Sequence, residues 1–167
     1  MSTSSETYPV RLDMREWTAL IGWLAISALA GVTGSFFMPG QWHEQLAKPD
    51  WNPPDWVFGP VWTTLYALMG IAAWLVWRRD GFRDGSVPLG LFFLQLSLNA
   101  AWTPIFFGAH EIGWALLDLG ALWIVLVATV IIFFRVERLA GTLLLPYLAW
   151  VTFAFALNFS IWRLNGQ

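Results

Sequence analysis

The sequence predicts an all-α integral membrane protein, a bundle of five transmembrane helices. Of its 167 residues, 57% are hydrophobic and only 12% are charged, whereas a typical soluble domain carries about 25% charged residues. A helix that crosses a bilayer needs about 20 consecutive, mostly apolar residues, and the chain contains five such stretches in succession. We therefore expect a polar N-terminal segment at residues 1–16 and one membrane domain at residues 17–167.

The five spans are expected at residues 17–38, 56–77, 87–109, 112–134 and 139–162. Four of them contain no Asp, Glu, Lys or Arg, and the fourth along the chain contains one acid, Asp118. The runs lack the period-two alternation of membrane barrels, and a helix pairs its backbone groups within its own segment. Residues 1–16 also lack the basic-then-apolar layout of a signal peptide, so the first stretch is expected to be a retained span.

The connection between the first two spans, residues 39–55, is long and rich in aromatic residues and proline. Loops of more than about 12–15 residues are often functional, so we expect this one to act as a lid. Asn52 is expected to cap the second helix, because the prolines that follow it are tolerated in a first helical turn. The other connections are short, which makes neighbouring helices antiparallel.

Basic residues are distributed unequally between the two ends of the predicted bundle. Only Lys48 and Arg163 fall on the side of the long loop. By the positive-inside rule, we expect the N-terminus in the cytoplasm and the long loop and the C-terminus outside. The seven basic residues on the N-terminal side are Arg11, Arg15, Arg78, Arg79, Arg83, Arg135 and Arg138.

The composition also excludes several classes of function. A net charge of -2 gives no reason to expect nucleic acid as a partner. The absence of Cys excludes disulfides and thiol catalysis. His43 and His110 lie in predicted loops without a partner at metal-ligand spacing, so no metal site is expected. No Ser-His-Asp set or phosphate-binding glycine loop is present, which argues against hydrolysis and phosphoryl transfer.

Polar and aromatic side chains recur on single faces of three predicted helices. Residues three, four or seven positions apart lie on one face of a helix. Each residue alone is typical of packing between membrane helices, but together the three faces indicate an internal aromatic pocket. Pro104, just beyond one of these faces, is expected to kink its helix. The faces consist of Phe58, Trp62 and Tyr66 in the second span, Gln95, Asn99 and Trp102 in the third, and Tyr147, Trp150, Ala154 and Asn158 in the fifth.

Two further features leave alternatives open. Asp118 lies up to two turns inside the fourth span, where an acid is costly, and it serves either a structural contact with a neighbouring helix or a function. Ser27, Gly31 and Ser35 form a ridge of small residues that allows helices to approach closely. This ridge serves either a homodimer or contacts within one chain.

Several motifs occur in order along the chain from the long loop to the C-terminus. They are KPDWNPP at 48–54, WVFGPVW at 56–62, QLSLNAAW at 95–102, PIFFG at 104–108, GWAL at 113–116 and PYLAW at 146–150. In these motifs the chain resembles the TspO/MBR family, the tryptophan-rich sensory proteins related to the mitochondrial translocator protein. The motifs lie on every predicted span except the first, so the resemblance covers most of the chain.

The resemblance implies a five-helix bundle, commonly a homodimer, that binds tetrapyrroles such as protoporphyrin IX or haem and requires no cofactor. For some members it also implies sterols or benzodiazepine-type compounds as ligands. The sterol-binding stretch of the family corresponds to residues 157–163, where Phe159 replaces the expected Tyr. Trp51 and Trp150 correspond to tryptophans implicated in porphyrin photochemistry. With the helix faces above, the expected ligand-binding residues are Trp51, Phe58, Trp62, Tyr66, Gln95, Asn99, Trp102, Trp114, Tyr147, Trp150, Ala154, Leu157 and Asn158.

Three functions are consistent with this pocket. The leading hypothesis is a membrane receptor or handler of tetrapyrroles, with a role in stress signalling. The second is light-dependent porphyrin degradation that uses Trp51 and Trp150. The alternative is a transporter of porphyrins or sterol-like lipids. We expect the bacterial cytoplasmic membrane as the location, with the outer membrane as a family precedent.

Overall fold

The computed structural model describes residues 13–166, so residues 1–12 of the predicted N-terminal segment, including Arg11, lie outside it. The described residues form helices and contain no strand. A 3₁₀ turn at Asp55–Val57 leads into the third helix, and a π-helical turn at Pro104–Gly108 follows the fourth. The α-helices are α1 (Met14–Ser35), α2 (Gln41–Gln45), α3 (Phe58–Asp80), α4 (Ser86–Thr103), α5 (Ile112–Val136), α6 (Arg138–Leu143) and α7 (Leu145–Asn165).

Five helical stretches are long and apolar enough to cross a membrane, which confirms the predicted fold class. They are Met14–Ser35, Asp55–Asp80, Ser86–Gly108, Ile112–Val136 and Arg138–Asn165. The first begins three residues earlier than predicted because Asp13 and Glu16 form a capping box. Asp13 Oδ1 accepts from the Glu16 backbone N–H at 2.7 Å, and Glu16 Oε2 accepts from the Asp13 N–H at 3.1 Å.

Proline interrupts two of the spans. The α-helix of the third span ends at Thr103, and the backbone N–H of Ala109 donates to the Pro104 carbonyl at 2.9 Å in the π-helical turn that follows. This agrees with the distortion expected at Pro104. The fifth span is also broken, at Leu144 between α6 and α7, which we did not predict. Pro146 lies in the first turn of α7, where its missing N–H leaves no helical hydrogen bond unmade.

The predicted cap of the second span is wrong. Asn52 Nδ2 donates to the Pro53 carbonyl at 3.1 Å and bonds no helix N–H. Pro54 is extended, with φ -61° and ψ 143°, and it stands immediately before the 3₁₀ turn without any side-chain cap. The two prolines therefore delay the helix past Asn52.

The bundle has two distinct ends. At the arginine end, Arg78 Nε donates to Glu16 Oε1 at 2.6 Å, which ties α3 to α1. At the same end, Arg79 Nη1 donates to Glu137 Oε2 at 3.2 Å, which ties α3 to the link between α5 and α6. The opposite end, called the loop end below, carries residues 39–55, the π-helical turn and the C-terminal turn of α7.

The small-residue ridge of α1 packs within the chain. Ser27 is buried and donates to the Trp23 carbonyl at 2.9 Å. A Cβ atom at Gly31 would lie 2.5 Å from Cε2 of Tyr66, so α1 and α3 approach closely only because this residue is glycine. Ser35, at the end of the ridge, is exposed. Two of the three ridge residues thus serve contacts inside one chain, and the homodimer stays a prediction.

Candidate functional site

The long loop is fastened to the loop end by its own side chains and by the C-terminus. In α2, the Trp42 ring stacks on His110 with centroids 4.2 Å apart and meets Phe106 edge-on at 5.6 Å. Further along, the Ala47 N–H donates to Asn165 Oδ1 at 3.0 Å. Asn165 Nδ2 donates back to the Ala47 carbonyl, also at 3.0 Å. This reciprocal pair joins residues 118 positions apart and clamps the loop to α7.

We predict that Asn165→Ala loosens the loop without unfolding the bundle. A net hydrogen bond contributes about 0.5–1.5 kcal/mol, so losing two should raise the open population of the loop roughly tenfold. Limited proteolysis in detergent should then cut within residues 39–55 several times faster. Ser160→Ala is the matched control, because Ser160 bonds only the carbonyl of Ala156 in its own helix. Equal cleavage rates for the two variants would show that the clamp does not hold the loop.

His43 also anchors the loop, and its protonation state is set by its surroundings. The imidazole meets the Phe107 ring edge-on, with centroids 5.3 Å apart. Burial lowers the pKa of His43 below its ordinary value, and the nearby Lys48 ammonium lowers that pKa further. Asp55 and Glu44 act in the opposite direction but do not reverse the shift. The docked loop therefore holds this imidazole in its neutral form.

The sign of this shift predicts that acid releases the loop. A base whose pKa is lowered in the folded state binds fewer protons there than in the open state. Docking is therefore unaffected above the ordinary pKa of about 6.5 and weakens as the pH falls below it. Proteolysis of residues 39–55 should be faster at about pH 5.5 than at about pH 7.5. His43→Gln should remove this dependence and His110→Gln should retain it; a His43→Gln profile identical to that of the wild type would contradict the prediction.

Beneath the loop, aromatic rings from three parts of the chain form a continuous set. This aromatic cluster consists of Trp51, Phe58, Trp62, Tyr66, Tyr147, Trp150 and Phe153. Trp150 is at its centre, with ring centroids 5.8 Å from Phe58, 6.5 Å from Trp62 and 5.3 Å from Phe153. Trp62 stacks on Tyr66 at 5.3 Å and meets Tyr147 edge-on at 6.2 Å. Trp51, from the loop, meets Phe153 at 5.7 Å and keeps 49% of its surface exposed.

Two buried asparagines bond aromatic side chains of the bundle, and one of these side chains belongs to the cluster. Tyr66 Oη donates to Asn99 Oδ1 at 2.7 Å, which links α3 to α4. Trp102 Nε1 donates to Asn158 Oδ1 at 3.2 Å, and Asn158 Nδ2 donates to the Ile112 carbonyl at 3.1 Å. These bonds satisfy amides that would otherwise be costly in an apolar interior. They also fix the ring planes of Tyr66 and Trp102.

Other polar atoms in the interior lack partners. Gln95 is fully buried; its Nε2 is 3.9 Å from the Met69 sulfur, and its Oε1 has no hydrogen-bond partner. The Tyr147 hydroxyl is buried and unpaired as well. A buried polar atom without a partner costs about 1–3 kcal/mol. Gln95 and Tyr147 are therefore the side chains best suited to bond polar edges of a ligand.

The space around the cluster is open to the outside and not enclosed. The two best-defined hollows within residues 13–166 are both surface grooves. One, of about 500 Å³, lies between α1 and α3 and has Trp62 and Tyr66 among its lining residues, with Gly31 opposite them. Within the cluster Tyr147 is buried, and the rings of Phe58, Trp62, Tyr66, Trp150 and Phe153 are half-buried. A large flat ligand would therefore enter only if rings or the loop moved.

Comparison with known proteins identifies the family of this chain. The sequence model of the TspO/MBR family matches residues 23–163. The chain belongs to the TspO/MBR family. Membership and the five apolar helices together make it an integral membrane protein.

Three relatives from this family illustrate the similarity. The human Translocator protein is 46% identical over 154 residues, which cover 89% of this chain and 91% of the relative. Protein CrtK of Rhodobacter capsulatus is 47% identical over 140 residues, with 83% and 87% covered. The Tryptophan-rich sensory protein of Cereibacter sphaeroides is 39% identical over 150 residues, with 90% and 93% covered. The names of these relatives support a receptor or sensory role in a membrane.

The TspO/MBR resemblance and the helix faces together gave thirteen candidate ligand-binding residues, and the structure separates them into groups. Six belong to the aromatic cluster: Trp51, Phe58, Trp62, Tyr66, Tyr147 and Trp150. Gln95, Asn99 and Ala154 border it from α4 and α7. Trp102, Leu157 and Asn158 lie nearer the loop end, where Trp102 stacks on Phe106 with centroids 4.9 Å apart. Trp114 lies apart from all of these, 65% exposed on the outer face of α5.

Sequence reasoning missed three residues of this TspO/MBR site. Phe153 contacts both Trp51 and Trp150, and its position three residues after Trp150 was a usable signal. Phe106 is buried beneath both Trp42 and Trp102. Its position in the turn that begins at Pro104 was the signal that could have indicated it. Asn165 clamps the loop across the fold, and nothing in its sequence context could have indicated that contact.

Proposed function

We propose that this TspO/MBR protein is a membrane receptor for tetrapyrroles and binds protoporphyrin IX or haem against the aromatic cluster. The single observation that supports it most is the position of Trp150. Its ring lies between Phe58, Trp62 and Phe153, and Phe153 in turn contacts the half-exposed Trp51 of the loop. The relatives named as sensory and translocator proteins support the same receptor role.

The chemistry of a tetrapyrrole suits these side chains. Its macrocycle is a wide, flat π-system that gains by stacking against indole and phenyl rings, each of which buries about 150–250 Å². Its polar groups require hydrogen-bond partners in an apolar interior. The unpaired Gln95 Oε1 and Tyr147 hydroxyl supply an acceptor and a donor beside the rings. The clamped loop would cover the macrocycle once it is bound.

The direct test is a titration of the purified protein with protoporphyrin IX in detergent and in darkness, followed by intrinsic tryptophan fluorescence. We expect saturable quenching with a stoichiometry near one ligand per chain. A linear decrease with no saturation, the same as for free tryptophan, would refute the receptor. The loop variant Asn165→Ala should change the rate of ligand dissociation more than the shape of the saturation curve, because it acts on the cover and not on the rings.

We infer light-dependent porphyrin degradation as a second candidate function. Its support is the contact of both Trp51 and Trp150 with Phe153, which brings two oxidisable indoles close to the same phenyl ring. Illuminated turnover of bound protoporphyrin IX tests it. Replacing both tryptophans by phenylalanine should slow turnover while dark binding persists. Unchanged turnover in the double variant would eliminate this mechanism.

Three further proposals concern orientation, transport and oligomeric state. The concentration of arginine at one end of the bundle supports an N-terminus in the cytoplasm and a loop end outside. Single cysteines introduced at either end of the bundle, and labelled from outside in intact cells, test this orientation. Transport, the alternative function, requires ligand to accumulate in sealed vesicles beyond the amount bound. A homodimer, which the resemblance implies, predicts twice the chain mass in mild detergent.

A further inference from the structure

Asp118 lies half-buried on α5 and makes no side-chain hydrogen bond or salt bridge within residues 13–166. It lines an open groove of about 570 Å³ on α5, beside the π-helical turn. Its Oδ2 atom is buried and has no hydrogen-bond partner. The two salt bridges within residues 13–166 both lie at the arginine end and do not include it. An acid inside a membrane span is costly unless it is paired, and a partner from outside the described residues would meet that cost.

The other residues of the groove indicate the charge of that partner. Trp114 precedes Asp118 by four residues, so both lie on one face of α5, and the indole is 65% exposed. Glu111 lines the groove one further turn towards the loop end, and no basic residue is among the lining residues. A carboxylate next to an exposed indole face favours an organic cation, because the ring attracts the cation while the carboxylate pairs with it.

The position of the groove indicates what carries the cation. Asp118 is six residues into α5, about 9 Å from its start at a rise of 1.5 Å per residue. That depth is below the surface of the membrane but within reach of an amphiphile anchored by its chain. Leu117 and Ile105 supply apolar walls on either side. A hydrocarbon tail can therefore lie along α5 while its head group reaches Asp118.

We propose that this groove is a binding site for an amphiphile with an ammonium head group, taken up from the surrounding lipid. Asp118 pairs with the ammonium, and Trp114 covers its other side. None of the aromatic-cluster residues lines this groove, and the proposal does not depend on the tetrapyrrole function. It also accounts for the outward orientation of Trp114, which the aromatic cluster does not use.

Calorimetric titration of the detergent-solubilised protein with dodecylamine, a single-chain ammonium amphiphile near pH 7, tests the site. We expect saturable binding, an affinity about tenfold lower in Asp118→Asn, and an affinity near that of the wild type in Asp118→Glu, which keeps the charge. Trp114→Leu should lower the affinity several-fold. Asp84→Asn, which removes an exposed acid between α3 and α4, is the matched control and should change nothing.

Three outcomes would overturn the proposal. Dodecan-1-ol binding as tightly as dodecylamine would show that charge plays no part. Equal affinities in Asp118→Asn and the wild type would remove the carboxylate from the site. A change of particle mass in Asp118→Asn would assign the groove to contacts with a second copy of the chain. Circular dichroism of each variant in the same detergent checks that the helical bundle is intact, independently of any ligand.

Discussion

Replacing Trp150 by leucine is expected to weaken protoporphyrin IX binding by about 10- to 100-fold. Trp150 contacts Phe58, Trp62 and Phe153, so its loss removes the ring that connects α3, α7 and the loop. An aromatic pair contributes about 0.5–1.5 kcal/mol beyond the area that it buries, and each 1.4 kcal/mol changes an affinity tenfold. Losing one stacking surface for the ligand, and loosening the neighbouring rings, gives the expected range. Quenching titrations in darkness measure it.

Trp17→Leu is the matched control for this prediction. Trp17 lies at the arginine end of α1 with half of its surface exposed, and it belongs to neither buried core cluster. Its loss should reduce the starting fluorescence by a similar amount but leave the dissociation constant unchanged. If Trp17→Leu and Trp150→Leu bind protoporphyrin IX equally well, the aromatic cluster is not the binding site. Circular dichroism of both variants separates a lost site from a lost fold.

The spans were predictable because burial in lipid leaves a strong record in the sequence. Charged residues are excluded from about 20 consecutive positions, and the boundaries so obtained agree with the helices to within a few residues. The breaks were less visible. The distortion at Pro104 could be predicted because a proline beyond the first turn of a helix removes a hydrogen bond. The break before Pro146 could not, because a proline at that position is compatible with the first turn of a new helix as well as with the interior of a continuous one. The choice between those depends on how α6 packs, which is a tertiary property.

The aromatic cluster was partly predictable for a similar reason. Helix periodicity places Trp62 with Tyr66, and Tyr147 with Trp150, on single faces, and the structure brings these two faces together. Periodicity does not determine the rotation of a helix whose residues are apolar all round. In α5, Leu119 and Leu122 face inward, and Trp114 faces out. The clamp between Ala47 and Asn165 could not be predicted, because loop residues show no periodic pattern that indicates their contacts.

The bonds of the loop and the packing of the rings have different consequences for binding. A few hydrogen bonds and ring contacts at the loop end, made by Asn165, His43 and Trp42, hold the long loop in place. Small energies therefore control its opening. Among the rings below, Tyr147 is part of the main buried core, and Trp62, Tyr66 and Trp150 pack against it. Phe58 and Phe153 pack against the smaller core near the loop end. We therefore expect loop variants to change binding rates and ring variants to change affinity, a division that stopped-flow quenching can measure.

Gly70→Ala is expected to destabilise the bundle more than any other single methyl addition between α1 and α3, Gly31→Ala included. A Cβ at Gly70 would lie 2.9 Å from Cα and 3.1 Å from the backbone N of Leu24, distances that side-chain rotation cannot relieve. The two helix backbones would have to separate, and such overpacking costs about 1–3 kcal/mol. For a chain of this size that lowers the melting temperature by about 2–12 °C. At Gly31 the clash is with the Tyr66 ring, which can tilt, so Gly70 is the cleaner test.

Gly22→Ala on the facing helix α1 is expected to change the melting temperature in the opposite direction. No atom lies within 4 Å of a Cβ built at Gly22, so alanine meets no obstacle there. Glycine inside a helix is less favourable than alanine by about 0.5–1 kcal/mol, and the substitution should therefore raise the melting temperature slightly. Thermal unfolding of the two variants in one detergent, followed by circular dichroism, compares them directly. Similar changes of melting temperature in Gly70→Ala and Gly22→Ala would mean that α1 and α3 do not approach closely at Gly70. The groove between these two helices, beside Trp62 and Tyr66, would then have a different shape.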